Sequence, residues 1–257
     1  MNAGDVVQPQ ATQNCPTRPS VAAIIPTLNE AEHLPATLEV ATRLEPAVEI
    51  IVVDGGSDDR TVELAQRFGA KTLTAPRGRG QQLAAGCQTT EAPILWFLHA
   101  DSLPGPEAVQ QIVESCSRPG VAGGYFAVRF DGTSRAARVL TLVYSVLQRF
   151  GLRYGDSAIF VRRDAYLAAG GFRPLPLFED LDLLRRVYRQ GRVVRIPSQV
   201  VTSSRRFEGR SFALTFAHWT LLQILFWLGV SPERLGRSYR AIRSPGRRGS
   251  VVAGSSR

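Results

Sequence analysis

The sequence predicts an α/β fold, a mostly parallel mixed sheet with helices on both faces, and three observations support that reading. From residue 20 onward, short β-branched apolar runs alternate with amphipathic stretches, the pattern of strand–helix–strand units. Those runs are apolar throughout rather than at every second residue, as strands buried on both faces must be. Acids stand where two of the runs end, Asp54 closing EIIVVD and Asp101 closing APILWFLHAD, and open α/β sheets bind ligands beyond the carboxyl ends of their strands. At 257 residues and 44% hydrophobic content, the chain can bury one sizeable core with a small appendage.

The elements follow in order. VAAIIP is the first strand. Glu30 to Leu44 is an amphipathic stretch that opens after Asn29, a candidate N-cap, with Pro35 near its start. EIIVVD is the second strand. In DDRTVELAQRFG, Val62, Leu64, Ala65 and Phe68 fall near one helical face, and Gly69 stops the helix. KTLTA is a third strand, GQQLAAGCQTT a helix and APILWFLHAD a fourth strand. In the second half, VAGGYFAVRF and DSAIFVRR read as strands and Ala136 to Phe150 as a helix. FEDLDLLRRVYRQG is a helix with Leu181, Leu184 and Val187 on its buried face, ended by Gly191. The expected organisation is a tail over 1–19, a catalytic-type domain over 20–208, apolar and basic helices over 209–243, and a second tail over 244–257.

Composition narrows the partners. The net charge is +9, and Lys71 is the only lysine among the basic residues. Such a balance favours nucleotide phosphates, anionic lipid or nucleic acid, although an arginine-rich codon bias produces the same composition. Cys15, Cys87 and Cys116 are odd in number and widely spaced. They argue against a disulfide framework and a structural zinc site, and for a reducing compartment. The first twenty residues lack a basic stretch followed by an apolar one, so they do not read as a signal peptide. Phe212 to Val230 runs nineteen residues without a formal charge, near the length that spans a bilayer. Thr215, His218, Thr220 and Gln223 interrupt it, and Leu214, Ala217, Leu221, Leu225 and Leu228 form one aliphatic stripe. Three arrangements fit: an interfacial helix, a core or subunit-packing helix, and a true span. Flanking arginines (205, 206 and 210, then 234, 237 and 240) suit an anionic membrane surface.

Four clusters converge on one sheet edge: IIPTLNEAEHL, VVDGGSDDRT, PRGRGQQLAAG and LHADS. Each alone is an ordinary turn or cap; their coincidence on one edge points to nucleotide binding. Asp54 can accept hydrogen bonds from a base N–H, and glycine turns and helix starts can face phosphates. Arg77 and Arg79 supply charge-assisted donors for a diphosphate. A hard divalent cation held by Asp101 would bridge the two phosphates. The spacing matches neither G-x-G-x-x-G nor a Walker A loop. A fifth cluster, FEDLDLLRR, puts Glu179 and Asp180 in the first turn of a helix, where they complement the helix dipole. Gly170, Gly171, Pro174 and Pro176 precede them, so the acids end a loop able to reach over the sheet edge. A carboxylate there can remove a proton from an incoming hydroxyl.

IIPTLNE, IIVVDGGSDDRT, GRGQQLAAG, FLHADS, GDSAIFVRR and FEDLDLLRR come in the order and spacing of family 2 glycosyltransferases, and from about Ser20 to Phe207 the chain resembles that family's small bacterial members. The resemblance implies a GT-A fold and an inverting transferase; the apolar C-terminal stretch and its flanking arginines add the expectation of a cytoplasmic enzyme peripheral on the inner face of the cell membrane. The implied donor is a nucleotide-diphosphate sugar, UDP-linked, with Mg²⁺ or Mn²⁺ as cofactor. The acceptor is a hydroxyl on a lipid-like or membrane-presented molecule, and no nucleic-acid partner is expected. Residue by residue, Pro26, Leu28 and Glu30 would line the base and ribose pocket with Asp54 reading the base, and Arg79 would sit beside the nucleotide. His99, Ala100 and Asp101 occupy Asp-x-Asp positions, with Asp101 matching the metal-binding acid and His99 placed to meet ribose or metal. Asp180, paired with Glu179, matches the general base, and Asp156 and Arg206 fall where the donor and acceptor pocket is shaped.

Two alternatives share these features. A sugar-nucleotide pyrophosphorylase has related nucleotide-binding architecture, but it needs a glycine-rich loop after the first strand, and PTLNEAEHL has none. A non-enzymatic polyanion- or lipid-binding module would rest on the arginine-rich C-terminal region, without a recognisable nucleic-acid motif.

Overall fold

A computed structural model describes residues 20–131, 141–143, 146, 157–203 and 212–238. Eight strands form one sheet: β1 (Val21–Thr27), β2 (Glu49–Asp54), β3 (Lys71–Thr74), β4 (Ile94–Phe97), β5 (Ser102–Leu103), β6 (Val121–Phe130), β7 (Phe160–Arg162) and β8 (Arg192–Thr202). Their spatial order is β3-β2-β1-β4-β7-β6-β8-β5. The first four are parallel to one another, β1 lying between β2 and β4. β7 runs antiparallel to both β4 and β6, β8 runs parallel to β6, and β5 closes the far edge antiparallel to β8. The chain builds outward from β1 to β3, then returns to place β4 on the other side of β1. That reversal is the topological switch point at which open α/β sheets form their ligand crevice.

Helices α1 (Leu34–Ala41), α2 (Thr61–Arg67) and α3 (Arg79–Gln88) connect the four parallel strands, α4 (Ala108–Cys116) links β5 to β6, and together they cover the sheet. Both faces are buried, as the unbroken apolar strands require. Val21, Ala23 and Ile25 join a core with Leu34, Leu38, Trp96, Ile112 and Phe160 on one face. Ala22 and Ile24, pointing the other way, pack with Leu83, Leu95, Phe97, Tyr166 and Leu184. α3 lies so close to the sheet that a Cβ on Gly86 would stand 2.4 Å from Ile24 Cγ2. Cys87 and Cys116 are free thiols. Burial pushes each up to about 12, so neither supplies a thiolate near neutrality.

The second half adds α5 (Arg163–Ala168), α6 (Glu179–Val187), α7 (Phe212–Trp227) and α8 (Pro232–Ser238). α7 and α8 pack on the start of α6: Leu222 and Leu235, with Leu225, Phe226 and Val230, cluster with Leu177, Phe178 and Leu181. Among the described residues, no helix is long and apolar enough to cross a membrane.

Four local readings change. Asn29 does not cap α1, which begins at Leu34. Instead Asn29 takes a left-handed φ of 56°, tolerated by its short polar side chain, and its Oδ1 accepts the Asp58 N–H at 2.8 Å. β8 was not legible because Pro197 and a break in register with β6 interrupt its pattern. α4 and the two-residue β5 also escaped the reading. Of the helix expected over 136–150, residues 141–143 and 146 are described and are helical. The two tails lie outside the described residues.

Candidate active site

Because β1, β2, β3 and β4 are parallel, their carboxyl ends share one edge, and the segments leaving them carry the candidate residues. Pro26 sits in β1, with Leu28 and Glu30 just beyond it. Asp54 ends β2, in register with Thr27, and is 3% exposed. Its Oδ2 accepts the Gly56 and Ser57 N–H groups at 2.8 Å each, while its Oδ1 accepts the Ser57 and Thr27 hydroxyls. The carboxylate therefore shapes the DGGS turn, presenting Gly56 (φ 89°) at the crevice rim, whatever else it touches.

Two side chains that pattern reading missed hold this edge together. Buried Gln82 of α3 donates from Nε2 to both the Thr27 and Val53 carbonyls at 2.8 Å, tying the ends of β1 and β2. Thr37 of α1 donates its hydroxyl to the Ala100 carbonyl at 2.8 Å, fixing the segment after β4. There Leu98 pairs with Ile24, His99 is buried at 8% exposure, and the Ser102 N–H closes a turn onto the His99 carbonyl at 3.2 Å. Asp101 lies in that turn, partly buried.

The loops after β1 and β2 are also stapled to each other. Ser57 Oγ accepts the Asn29 N–H, Thr61 Oγ1 accepts the Glu30 N–H, and Asp59 accepts the Ala31 and Thr61 N–H groups. Partial burial acts to raise the Asp59 carboxyl, but hydrogen bonds from Thr61 and Ala31 outweigh it and hold the group below its ordinary range.

Arg79, at the first turn of α3, draws the second half of the chain to this edge. Its Nε lies 3.3 Å from Glu179 Oε1 and its Nη2 lies 3.7 Å from Asp180 Oδ2. Glu179 and Asp180 are both buried. The approach requires glycine beside Arg79, since a Cβ on Gly80 would meet the Arg173 carbonyl at 2.7 Å. The acids open α6 immediately after Phe178, whose φ of 63° is left-handed and uncommon for a bulky residue. Strain of this kind concentrates at functional sites. Further along α6, Asp182 and Arg186 pair at 2.6 Å, and Arg186 donates to the Ala169 and Gly171 carbonyls. Those two charges hold the Gly-Gly loop, and the motif thus divides between a site pair and a scaffold pair. Asp156 and Arg206 lie outside the described residues. Side-chain ion pairs join Arg79 to the two α6 acids; Asp54, His99 and Asp101 belong with them through the shared strand edge.

Among the described residues, no three His, Cys, Asp or Glu side chains group into a metal cage. What the segment after β4 offers is the hard carboxylate of Asp101. That donor set fits Mg²⁺ or Mn²⁺ shared with a substrate, because such ions take one or two carboxylates and complete their shell with phosphate oxygens and water.

Comparison with known proteins bears on the family and the fold. Residues 22–168 match the family described as glycosyl transferase family 2. The chain is 33% identical over 156 residues to undecaprenyl-phosphate 4-deoxy-4-formamido-L-arabinose transferase of Pectobacterium atrosepticum, covering 56% of this chain and 48% of that protein. It is 33% identical over 111 residues to 4,4'-diaponeurosporenoate glycosyltransferase of Staphylococcus haemolyticus, covering 40% of this chain and 30% of that one. The chain thus spans half or less of these relatives' lengths. Among solved structures, glucosyl-3-phosphoglycerate synthase from Mycobacterium tuberculosis with Mg²⁺ and UDP superposes with a TM-score of 0.58 at 16% identity, over 82% of this chain and 79% of that one. TarS from S. aureus with UDP-GlcNAc gives 0.56 at 15% identity, over 75% and 60%. These neighbours share the GT-A fold, and with the match across more than half its length the chain belongs to glycosyl transferase family 2.

Proposed function

We propose that this protein transfers a sugar, with inversion, from a UDP-linked donor to a hydroxyl of a lipid-like acceptor. The observation that carries the reading is the Arg79 contact. It holds Glu179 and Asp180 against the strand edge at which Asp54 and the His99–Asp101 turn stand. Solved neighbours with bound UDP, UDP-GlcNAc and UDP-glucose support the donor class. Similarity to the undecaprenyl-phosphate arabinose transferase, whose name contains a polyprenyl phosphate, supports the acceptor class. Pro26, Leu28, Glu30 and Asp54 line the base and ribose pocket. His99 meets ribose, with Ala100 beside it, and Asp156 and Arg206 shape the pocket for donor and acceptor.

Asp101 is the residue that would hold Mg²⁺ or Mn²⁺ together with the diphosphate. When bound there, such an ion would supply charge neutralisation for the phosphate oxygens of the leaving group. Asp180 accepts the acceptor's hydroxyl proton; the freed oxygen forms a bond to the anomeric carbon as the carbon–oxygen bond to the β-phosphate breaks. The nucleotide diphosphate leaves with that bonding pair, and the anomeric centre inverts. Glu179 shares Arg79 with Asp180 and keeps the guanidinium fixed between them. The ends of β1 and β2, tied by Gln82, set the floor of the pocket. A location at the inner face of the membrane, in peripheral contact with anionic lipid, suits such an acceptor.

The test is a panel of nucleotide sugars offered with Mn²⁺ and with membrane-lipid acceptors. Asp180→Asn should lower turnover by about 10²–10⁴-fold, the usual worth of a general base, while nucleotide affinity stays near that of the wild type. Unchanged turnover in that variant overturns the role of Asp180, and a panel without any consumed donor overturns the transferase reading.

A further inference from the structure

α7 is apolar on two sides, and one of them is covered. Leu222 is buried, and Leu225 and Phe226 pack with it against Leu177, Phe178 and Leu181. On the other side Leu221, Ile224, Trp227 and Leu228 are 54%, 48%, 54% and 76% exposed. At the helical repeat, Leu221, Ile224 and Leu228 fall within about 60° of one another, with Trp227 at the margin. A contiguous exposed apolar patch of this kind marks an interaction surface, so the outer face calls for an occupant.

We propose that this face docks on an anionic lipid bilayer, seating Leu221, Ile224, Trp227 and Leu228 at the headgroup–acyl boundary. The charge around it selects that occupant. From Ser203 to the end of the chain, ten arginines stand against two acids, Glu208 and Glu233. Three of them (Arg205, Arg206 and Arg210) precede α7, and Arg234, Arg237 and Arg240 closely follow it. Anionic headgroups complement such flanks, and tryptophan is a residue of the membrane interface. A second copy of the chain docked on the same face would set arginine-rich flanks against each other in either orientation, and like-charge juxtaposition is costly.

The docked face is coupled to the site. The Phe178 and Phe226 rings are 5.1 Å apart, so the inner face of α7 clamps the left-handed residue that precedes Glu179 and Asp180. A bilayer on the outer face then lies about one helix diameter, roughly 10 Å, from the start of α6. A hydroxyl held near headgroup level is the acceptor such a placement serves. That last step rests on the transferase reading; the docking surface does not.

The experiment is sedimentation of the full chain with vesicles of phosphatidylcholine alone or with about 30 mol% phosphatidylglycerol. Binding is expected to the anionic vesicles, to weaken with salt, and to shift the tryptophan emission to the blue, a shift that Trp227→Phe removes. The triple variant Leu221→Gln, Ile224→Gln, Leu228→Gln should lose about a hundredfold or more in partitioning, with thermal stability and UDP affinity kept. Absence of binding to anionic vesicles at low salt overturns the proposal, as does undiminished binding of the triple variant. If light scattering shows a dimer that the triple variant dissolves and vesicles do not bind, the face is a self-interface instead. Vesicle binding without UDP binding would leave the docking surface standing and remove the transferase reading.

Discussion

Arg79 meets two demands at once. It opens a helix facing the crevice in which a diphosphate would lie, and it is ion-paired with Glu179 and Asp180. The two roles separate kinetically. If Arg79 chiefly positions the carboxylates, Arg79→Gln lowers kcat with little change in the donor KM; if it chiefly binds the diphosphate, KM rises with kcat retained. The buried pair of acids beside it favours the first outcome, by about tenfold or more in kcat. The places of Asp54 and Asp180 were legible in the sequence because a strand end and a helix start are marked by pattern; Asp101 does not close its strand, since β4 ends at Phe97 and the acid stands in the turn before β5. Gln82 and Thr37 were not legible, since a hydrogen-bonding residue inside a helix looks like any other polar residue until the partner carbonyl is seen. Asn29 misled for a related reason: the residues favoured as caps are also those that tolerate a left-handed backbone.

Among the elements, α3 depends on close approach. Gly86→Ala would drive a methyl group into Ile24 and Val53, and overpacking of this kind costs about 1–3 kcal/mol, measurable as a lowered unfolding midpoint in urea. The stapled loops after β1 and β2 carry a pH dependence of known sign. Hydrogen bonds from Thr61 and Ala31 hold the Asp59 carboxyl below the ordinary carboxylate range in the folded chain, so its stabilisation is present above that range and is lost as pH falls through the lower folded value. Stability of the wild type should therefore drop more steeply below about pH 4 than that of Asp59→Asn, as followed by thermal unfolding across that range. The first four strands could be read from their unbroken β-branched runs. β8 could not, because its eleven residues contain Pro197 and shift register against β6, and neither its period nor its composition reports a pairing partner far along the chain.

At the scale of the whole molecule, strand order makes the site. The reversal around β1 sets β4 beside it, so segments leaving three neighbouring strands face one crevice, and α6 reaches that crevice through Arg79. The sequence predicted the parallel half and its acid-bearing edge. It left the apolar C-terminal stretch open among three arrangements, and the one aliphatic stripe it offered is split by the fold: Leu225 packs inward toward Phe178 and Leu181, while Leu221 and Leu228 face outward. The central claim is that this edge is a donor site completed jointly by Asp101 and a nucleotide diphosphate. Calorimetric titration of UDP into the full chain, with and without Mn²⁺, tests it most directly. The account predicts affinity tightened by about tenfold or more with the ion, a gain absent from Asp101→Ala. Equal affinities with and without Mn²⁺ in the wild type would contradict it.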